Sequence, residues 1–214
     1  SIGIPHTEIG LIVVDHQPVH FSHTVNGGEH ISVYPVFRSI DIPAVASCQP
    51  AAMQNPRFIL DNHLGKLAAL LRMTGFDTLY RNDYDDRELA DISARGDRIL
   101  LTCDRQLLMR KQLIHGCFVG SRKPEQQLLE IIQRYDSGQR LRPFTRCMKC
   151  NGCLFAVNKG DLDDLLAPAT REYFDSFRQC DSCSSIYWQG SHYMKMKSVV
   201  ENITRDSNFS RAAN

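Results

Sequence analysis

Two Cys-x-x-Cys pairs, Cys147-Met148-Lys149-Cys150 and Cys180-Asp181-Ser182-Cys183, constrain this chain more than any other feature. A turn of that length brings both of its sulfurs to one side of a tight loop. Two such turns supply the four thiolates that zinc prefers in tetrahedral array. With four protein ligands no coordination position stays open, so the site is expected to be structural Zn2+. Residues 151–179, between the pairs, are more than a compact ribbon needs and leave room for a helix near 161–166. A redox pair or buried free thiols is the rival reading, and Cys153, three residues beyond Cys150, is a competing ligand.

Eight cysteines could form four disulfides, but Cys48, Cys103, Cys117 and Cys153 are scattered rather than framed. A chain of 214 residues that is 43% apolar can bury a core without covalent staples. The pattern therefore points to a reducing compartment, hence a cytoplasmic protein. There the sequon Asn202-Ile203-Thr204 carries no meaning. No basic stretch precedes a continuous apolar core, so no signal peptide is expected. The longest apolar run near the start, residues 9–14, is broken by Gly10 and far too short to cross a bilayer. A serine at position 1 suggests a missing or trimmed natural start. The formal charge of +1 argues neither for nor against a nucleic-acid partner.

Along the chain, residues 1–37 are β-rich, with strands expected at 9–14 and 31–37 and a turn at Asn26-Gly27-Gly28. Two or three strands without a helix cannot close a core alone. Residues 38–56, with Pro43, Pro50 and Pro56, suggest a linker. From 57 to 136 strands and helices alternate: strands at 57–60, 78–80, 98–102 and 114–119, and helices over 64–71, 85–95, around 107–108 and over 125–135. That alternation predicts an α/β domain with a Rossmann-like parallel sheet. Residues 137–196 hold both cysteine pairs. Residues 197–214 are polar and are expected to be a frayed or disordered tail.

Acids recur just after these strands: Asp61 after the first, Asp85 and Asp86 after the second, Asp104 after the third. The carboxyl ends of parallel strands are where ligands bind in open α/β sheets. Clustered carboxylates need a cation, and Mg2+ or Mn2+ suits an all-oxygen site that activates water and offsets phosphoryl charge. The competing reading is that each acid caps a helix, with Asp85 and Glu88 forming a capping box. Both can hold at once. Thr102 and Asn62 flank the site and are candidates for orienting a carboxylate or a water.

Between residues 137 and 160 lie Arg140, Arg142, Arg146, Lys149 and Lys159 without a single acid, while Arg105, Arg110 and Lys111 follow Asp104, and Arg122 and Lys123 follow the fourth strand. Basic surface beside a carboxylate site suits a polyphosphate ligand, and equally describes a solvated face. Phe144, Tyr187 and Trp188 are candidates for stacking on bases or for ribbon core. His192 is an exposed contact or a spare metal ligand.

Phe58-Ile59-Leu60-Asp61, Leu64-Gly65-Lys66-Leu67-Ala68, Leu71-Arg72 and Gly75 resemble the opening of the C-terminal RNase domain of the Mut-seven exonuclease family. Asp85-Asp86-Arg87-Glu88-Leu89 and Leu100-Leu101-Thr102-Cys103-Asp104-Arg105 resemble its next two motifs. Arg146-Cys147-Met148-Lys149-Cys150-Asn151, the pair Cys180 and Cys183, and Tyr187-Trp188-Gln189-Gly190-Ser191-His192 resemble its appended zinc ribbon. Gly3-Ile4-Pro5-His6-Thr7-Glu8 and Val33-Tyr34-Pro35-Val36-Phe37 resemble the ubiquitin-like β-grasp module that precedes it in bacterial proteins. Here that module lacks its opening hairpin and most of its helix. It also lacks the terminal Gly-Gly of sulfur carriers, which argues against sulfur transfer.

The resemblance implies a PIN-like nuclease fold with a C-terminal zinc ribbon and a partial β-grasp segment. It also implies divalent metal held by Asp61, Asp86 and Asp104, with Glu88 or Asp83 as a fourth acid. The resulting expectation is a hydrolase, a Mg2+- or Mn2+-dependent ribonuclease. Arg105 would stabilise developing charge, and the ribbon would present Arg146 and Lys149 to RNA. The N-terminal module would be a candidate contact for a protein partner, and no membrane is involved. The rival from a different class is a non-catalytic zinc-ribbon RNA-binding or adaptor protein. A nucleotide phosphatase is a third option. Oligomeric state is open.

Overall fold

The computed structural model describes residues 3–37, 42–43, 46–51, 53–135, 137–162 and 164–212, with backbone alone from 207. Its centre is a parallel four-stranded sheet in the order β5-β4-β6-β7, built from β4 (Phe58–Leu60), β5 (Thr78–Tyr80), β6 (Ile99–Thr102) and β7 (Gly116–Phe118). Successive side chains of a strand point to opposite faces, and the core divides accordingly. Phe58, Leu60, Ile99 and Leu101 pack on one face with α1 (Gly65–Met73) and α4 (Pro124–Arg134). Ile59 and Leu100 pack on the other with α2 (Asp86–Gly96) and α3 (Arg105–Leu108). Burial on both faces explains why these strands are unbroken apolar runs in the sequence.

The ends of α1 show how the chain is turned back into the sheet. Phe76 N–H donates to Leu71 O at 3.0 Å, and Gly75 between them has φ 97°. A side chain at Gly75 is barred twice, because a Cβ would also meet Arg142 O at 2.3 Å.

The N-terminal segment forms a separate three-stranded antiparallel sheet, β2-β1-β3, from β1 (Ile9–Val14), β2 (Gln17–Val19) and β3 (Ile31–Pro35). The sequence does not announce β2. Its hairpin turns on Asp15 and His16, both at positive φ (45° and 70°), without the glycine that usually marks such a turn. The expected 38–56 linker is not a free tether where it is described. Gln49 donates its amide to Ile9 O at 2.5 Å, Cys48 N–H bonds Gly10 O at 2.9 Å, and Met53 packs on the main core. Residues 38–41, 44–45 and 52 lie outside the described residues.

The C-terminal part holds an antiparallel sheet β10-β9-β8, from β8 (Leu154–Val157), β9 (Phe177–Cys180) and β10 (Ile186–Trp188). Two expectations need correction here. The helix expected near 161–166 is instead a 3-10 turn at Lys159–Leu162 followed by α5 (Pro168–Tyr173), which starts on Pro168 because proline suits the first helical position. Residues 213–214 of the expected disordered tail lie outside the described residues, and residues 197–212 lie in a helix, α6 (Ser191–Ala212). Its few apolar residues suffice because Val199, Val200 and Ile203 fall on one face, and Ile203 enters the main core.

Candidate metal centre and carboxylate site

The cysteine pairs occupy two turns that repeat each other bond for bond. Cys147 N–H donates to Gly152 O at 2.8 Å and Asn151 N–H to Cys147 O at 2.9 Å. In the second turn Cys180 N–H donates to Ser185 O at 3.0 Å and Ser184 N–H to Cys180 O at 3.1 Å. Asn151 and Ser184, each one residue past its pair, take left-handed φ of 73° and 55°. Gly152 lets the turns meet, since a Cβ there would lie 2.5 Å from Asp181 Oδ1 and 2.7 Å from Cys180 Sγ.

The four sulfurs of Cys147, Cys150, Cys180 and Cys183 lie within 4.8 Å of one another. Cys147 and Cys183 are 3.6 Å apart and Cys150 and Cys180 3.4 Å. A zinc–sulfur tetrahedron has edges of about 3.8 Å, so the quartet fits a structural zinc ion. Hydrogen bonds from Ser185 bring the Cys183 thiol down to about 6, whereas burial pushes Cys150 up to about 12. Zinc takes cysteine as thiolate, so binding at this quartet would release thiol protons. Cys153, the competing ligand, is outside the set; its side chain is exposed and its N–H is held by Asp181 Oδ1 at 3.0 Å. His192 is exposed at the start of α6 and also lies outside the set.

The carboxylates are arranged differently. Asp61 sits at the carboxyl end of the central strand β4 and is only 5% exposed. Its Oδ1 accepts His63 N–H at 2.8 Å, and its Oδ2 accepts the Thr102 hydroxyl and, at 3.1 Å, Cys103 N–H. Thr102 Oγ1 in turn accepts Asp104 N–H at 2.8 Å, so one threonine ties Asp61 to the residue after the neighbouring strand. Of the two flanking residues singled out in the sequence, Thr102 holds a carboxylate, while Asn62 receives the Tyr80 hydroxyl on its backbone oxygen.

Asp104 caps α3, accepting Gln106 N–H at 2.7 Å, and is exposed. Asp85 and Glu88 form a capping box on α2. Asp86 begins that helix and pairs with Arg110 at 3.6 Å. Asp83 takes a bidentate pair from Arg81. Capping and site-building therefore coexist. Asp61, Asp86 and Asp104 all stand beyond the carboxyl ends of β4, β5 and β6. Among the described residues, however, the cysteine quartet is the one group of three or more His, Cys, Asp or Glu whose ligand atoms all lie within 4.8 Å.

Residues 56–200 match the family model described as the Mut7-C RNAse domain, and residues 1–41 match the one described as Mut7-C ubiquitin. The chain belongs to the Mut7-C family. No curated protein and no solved structure matches it. Membership gives this Mut7-C chain a nuclease-like role, with RNA as the class of partner and a ubiquitin-like part suited to a protein contact. No helix of the described residues is long and apolar enough to cross a membrane.

The basic residues named in the sequence are put to unequal use in the Mut7-C chain. Arg105 lies with its guanidinium 4.9 Å from the centre of the Phe118 ring, turned toward the N-terminal segment. Arg146 donates to Asn151 O at 2.9 Å and approaches Asp77 at 3.7 Å, bracing the first cysteine turn. Lys149 is exposed on that turn. Tyr187 points its hydroxyl at Cys147 Sγ, 3.0 Å away.

The sequence marks Arg72 and Asn151 only as members of motifs and gives neither a role in welding the ribbon to the sheet. Buried Arg72 of α1 donates to Thr78 O at 2.9 Å and to Met148 O and Lys149 O at 3.1 and 2.9 Å. Asn151 accepts Thr78 N–H at 2.9 Å and donates to Asp77 at 2.9 Å, where Arg98 also pairs at 2.8 Å. Burial disfavours the charged form of Asp77. The hydrogen bonds of Arg98 and Asn151 and the charges of Arg98 and Arg146 outweigh it and hold the carboxyl below the usual range. The signal was present only as Asn151 following Cys150 and Arg72 near the end of an otherwise apolar helix face.

Proposed function

We propose that the chain is a PIN-like, Mg2+- or Mn2+-dependent ribonuclease that hydrolyses RNA phosphodiester bonds at Asp61, Asp86 and Asp104. One observation carries this reading. Asp61 is a buried carboxylate that no lysine or arginine among the described residues pairs with; the His63 ring nitrogen lies 3.5 Å away. Three hydrogen bonds hold the Asp61 oxygens but bring no positive charge; a divalent cation would, and carboxylate oxygens such as those of Asp61, Asp104 and Asp86 are the hard donors that Mg2+ and Mn2+ take.

Such a cation, when bound, acidifies water and offsets charge on a phosphoryl group. The protein supplies the rest. Thr102 and the N–H groups of His63 and Cys103 fix the Asp61 oxygens. Asp104 is held by its cap on α3. Arg110 holds Asp86 on the opposite side of β4. Exposure of Asp86 and Asp104 leaves the site open to a strand of RNA. The adaptor reading gives Asp61, Asp86 and Asp104 no joint role, and the phosphatase reading, which the same metal chemistry would serve, lacks the RNase-family match.

The test is cleavage of end-labelled RNA with Mn2+. Asp104→Asn should lower the rate by at least about 100-fold, the scale of losing a residue that supports charge stabilisation in the transition state, with melting temperature and zinc content unchanged. EDTA too mild to strip the ribbon should abolish activity and Mn2+ should restore it. Undiminished cleavage by Asp104→Asn would remove the assignment, and a panel containing nucleotide monophosphates would expose a phosphatase.

A further inference from the structure

Two cavities open side by side at the amino ends of the parallel strands, away from the aspartates, and Arg146 lines both. The first, about 370 Å³, is walled by Arg57, Arg140, Arg142 and Arg146, and among the described residues Asp77 is the one acid in its lining. That acid is already engaged by Arg98 and Arg146. Among the described residues no carboxylate pairs with Arg57, Arg140 or Arg142, and all three are exposed. The second, about 480 Å³, runs between the ribbon and α6, with Phe144, Trp188 and Tyr193 in its wall. Phe144 is held at φ 59° with its ring 4.6 Å from that of Tyr193, and Trp188 remains 40% exposed. The acid lining this groove, Asp175, is paired with Lys159 at 2.8 Å.

We propose that the two cavities form one anchoring site for single-stranded RNA, distinct from the carboxylate site. The arginine cavity takes backbone phosphates and the aromatic groove takes an unpaired base. Guanidinium groups gathered without carboxylate partners among the described residues attract an anion, and the arginine fork matches phosphate oxygens. Aromatic side chains in the wall of an open groove, with Trp188 still 40% exposed beside Phe174, suit a base of any identity. Sharing Arg146 places the two chemistries next to each other, as phosphate and base are in one strand. A duplex keeps its bases stacked and paired, so only a single strand can fill both. The groove wall includes Met73, the last residue of α1, whereas Asp61 precedes the start of that helix. Nine residues of helix span about 14 Å, so a strand held here reaches the acids only through intervening nucleotides. The inference shares with the proposed function only the choice of RNA as ligand.

Fluorescence anisotropy of the full-length, zinc-loaded chain tests it, without Mg2+ or Mn2+. The probe is a labelled single-stranded RNA of about twelve nucleotides, within the range such sites cover. The double variant Arg140→Ala, Arg142→Ala should weaken binding at least about tenfold and flatten the salt dependence of log K by about 1.4, roughly 0.7 per lost phosphate contact. Trp188→Ala should weaken binding at least about fivefold while leaving the salt slope unchanged. Circular dichroism and zinc content serve as folding controls, and the exposed arginines can be removed without opening the core. Three results would overturn the site: both variants binding within twofold of wild type, the duplex binding as tightly as the strand, or a poly-glutamate peptide displacing RNA at equal charge concentration. Parallel cleavage assays separate the two readings. Arginine-dependent RNA binding with no Asp104-dependent cleavage sinks the nuclease and keeps the anchor, and the converse keeps the nuclease alone.

Discussion

The two edges of the parallel sheet face the same physical problem and solve it with different materials. An edge strand leaves backbone N–H and C=O groups unpaired, which invites unwanted strand addition. On the β5 edge, Thr78 offers its N–H to Asn151 and its oxygen to Arg72, and both partners belong to the clamp around the first cysteine turn. On the β7 edge, Phe118 N–H is taken by the Glu8 carboxylate at 2.8 Å, and Arg134 pairs with the other Glu8 oxygen at 2.8 Å. His6 adds a bond to Leu113 O at 2.6 Å. One edge is closed by a neutral amide and a buried guanidinium that a metal site holds in place. The other is closed by a charged pair between Glu8, just ahead of the small sheet, and Arg134 of α4. The first closure leaves its polar groups satisfied. The second buries the Thr7 hydroxyl, 2% exposed, with no hydrogen-bond partner among the described residues. The comparison teaches that the ribbon is part of the sheet's stability, whereas the ubiquitin-like segment is a looser cover.

The largest break should come at the zinc. Cys180→Ser should abolish stoichiometric zinc binding and, through the cysteine turn, release Asn151 and Arg72. Structural zinc contributes on the order of 10 kcal/mol to small sites, so limited proteolysis should cut within residues 147–190 while the N-terminal sheet persists. If the β5 edge stays protected in hydrogen exchange without zinc, the two closures are not different in kind.

Arg72→Ala should be next. It leaves three buried or half-buried carbonyls without a donor, at about 1 kcal/mol each or more, so urea denaturation should show a loss of about 3 kcal/mol. A loss under 1 kcal/mol would mean that the ribbon docks without the guanidinium.

Thr7→Val should act in the opposite direction, stabilising by about 1 kcal/mol, because an unsatisfied buried hydroxyl is replaced by a methyl group of the same shape. A destabilised variant would show that the β7 closure is already optimal.

The smallest effect should be the acid response of Asp77. Its folded pKa is depressed, so its contribution is fully present above the unfolded value near 3.9 and is lost as pH falls through the folded value. Wild type should lose more stability than Asp77→Asn between about pH 5 and pH 3. Parallel pH curves would remove Asp77 from the clamp.

The legible parts of this protein are those whose signal is local. The β4 and β6 runs, the Gly75 stop, the Asp85–Glu88 capping box and the cysteine spacing are each written within a few consecutive residues, and each was readable. The acids after the strands were legible as positions. Their arrangement was not: Thr102 linking Asp61 to Asp104 and Arg110 drawing on Asp86 depend on strands far apart in sequence. The β1–β2 hairpin on Asp15-His16 and the helix over residues 191–212 escaped for the same reason. A turn without glycine and a largely polar helix are stable only when something packs against them.

By itself the sequence determined which elements form and which side chains are soft or hard ligands, because those follow from hydrophobic period, turn chemistry and the identity of sulfur and oxygen donors. Only the tertiary structure decided that Asn151 and Arg72 serve the sheet edge, that Arg146 braces a cysteine turn, and that Arg57, Arg140 and Arg142 gather around one cavity. Hydrogen bonds and uncompensated charge are properties of neighbours in space, and the chain does not record its neighbours in its order.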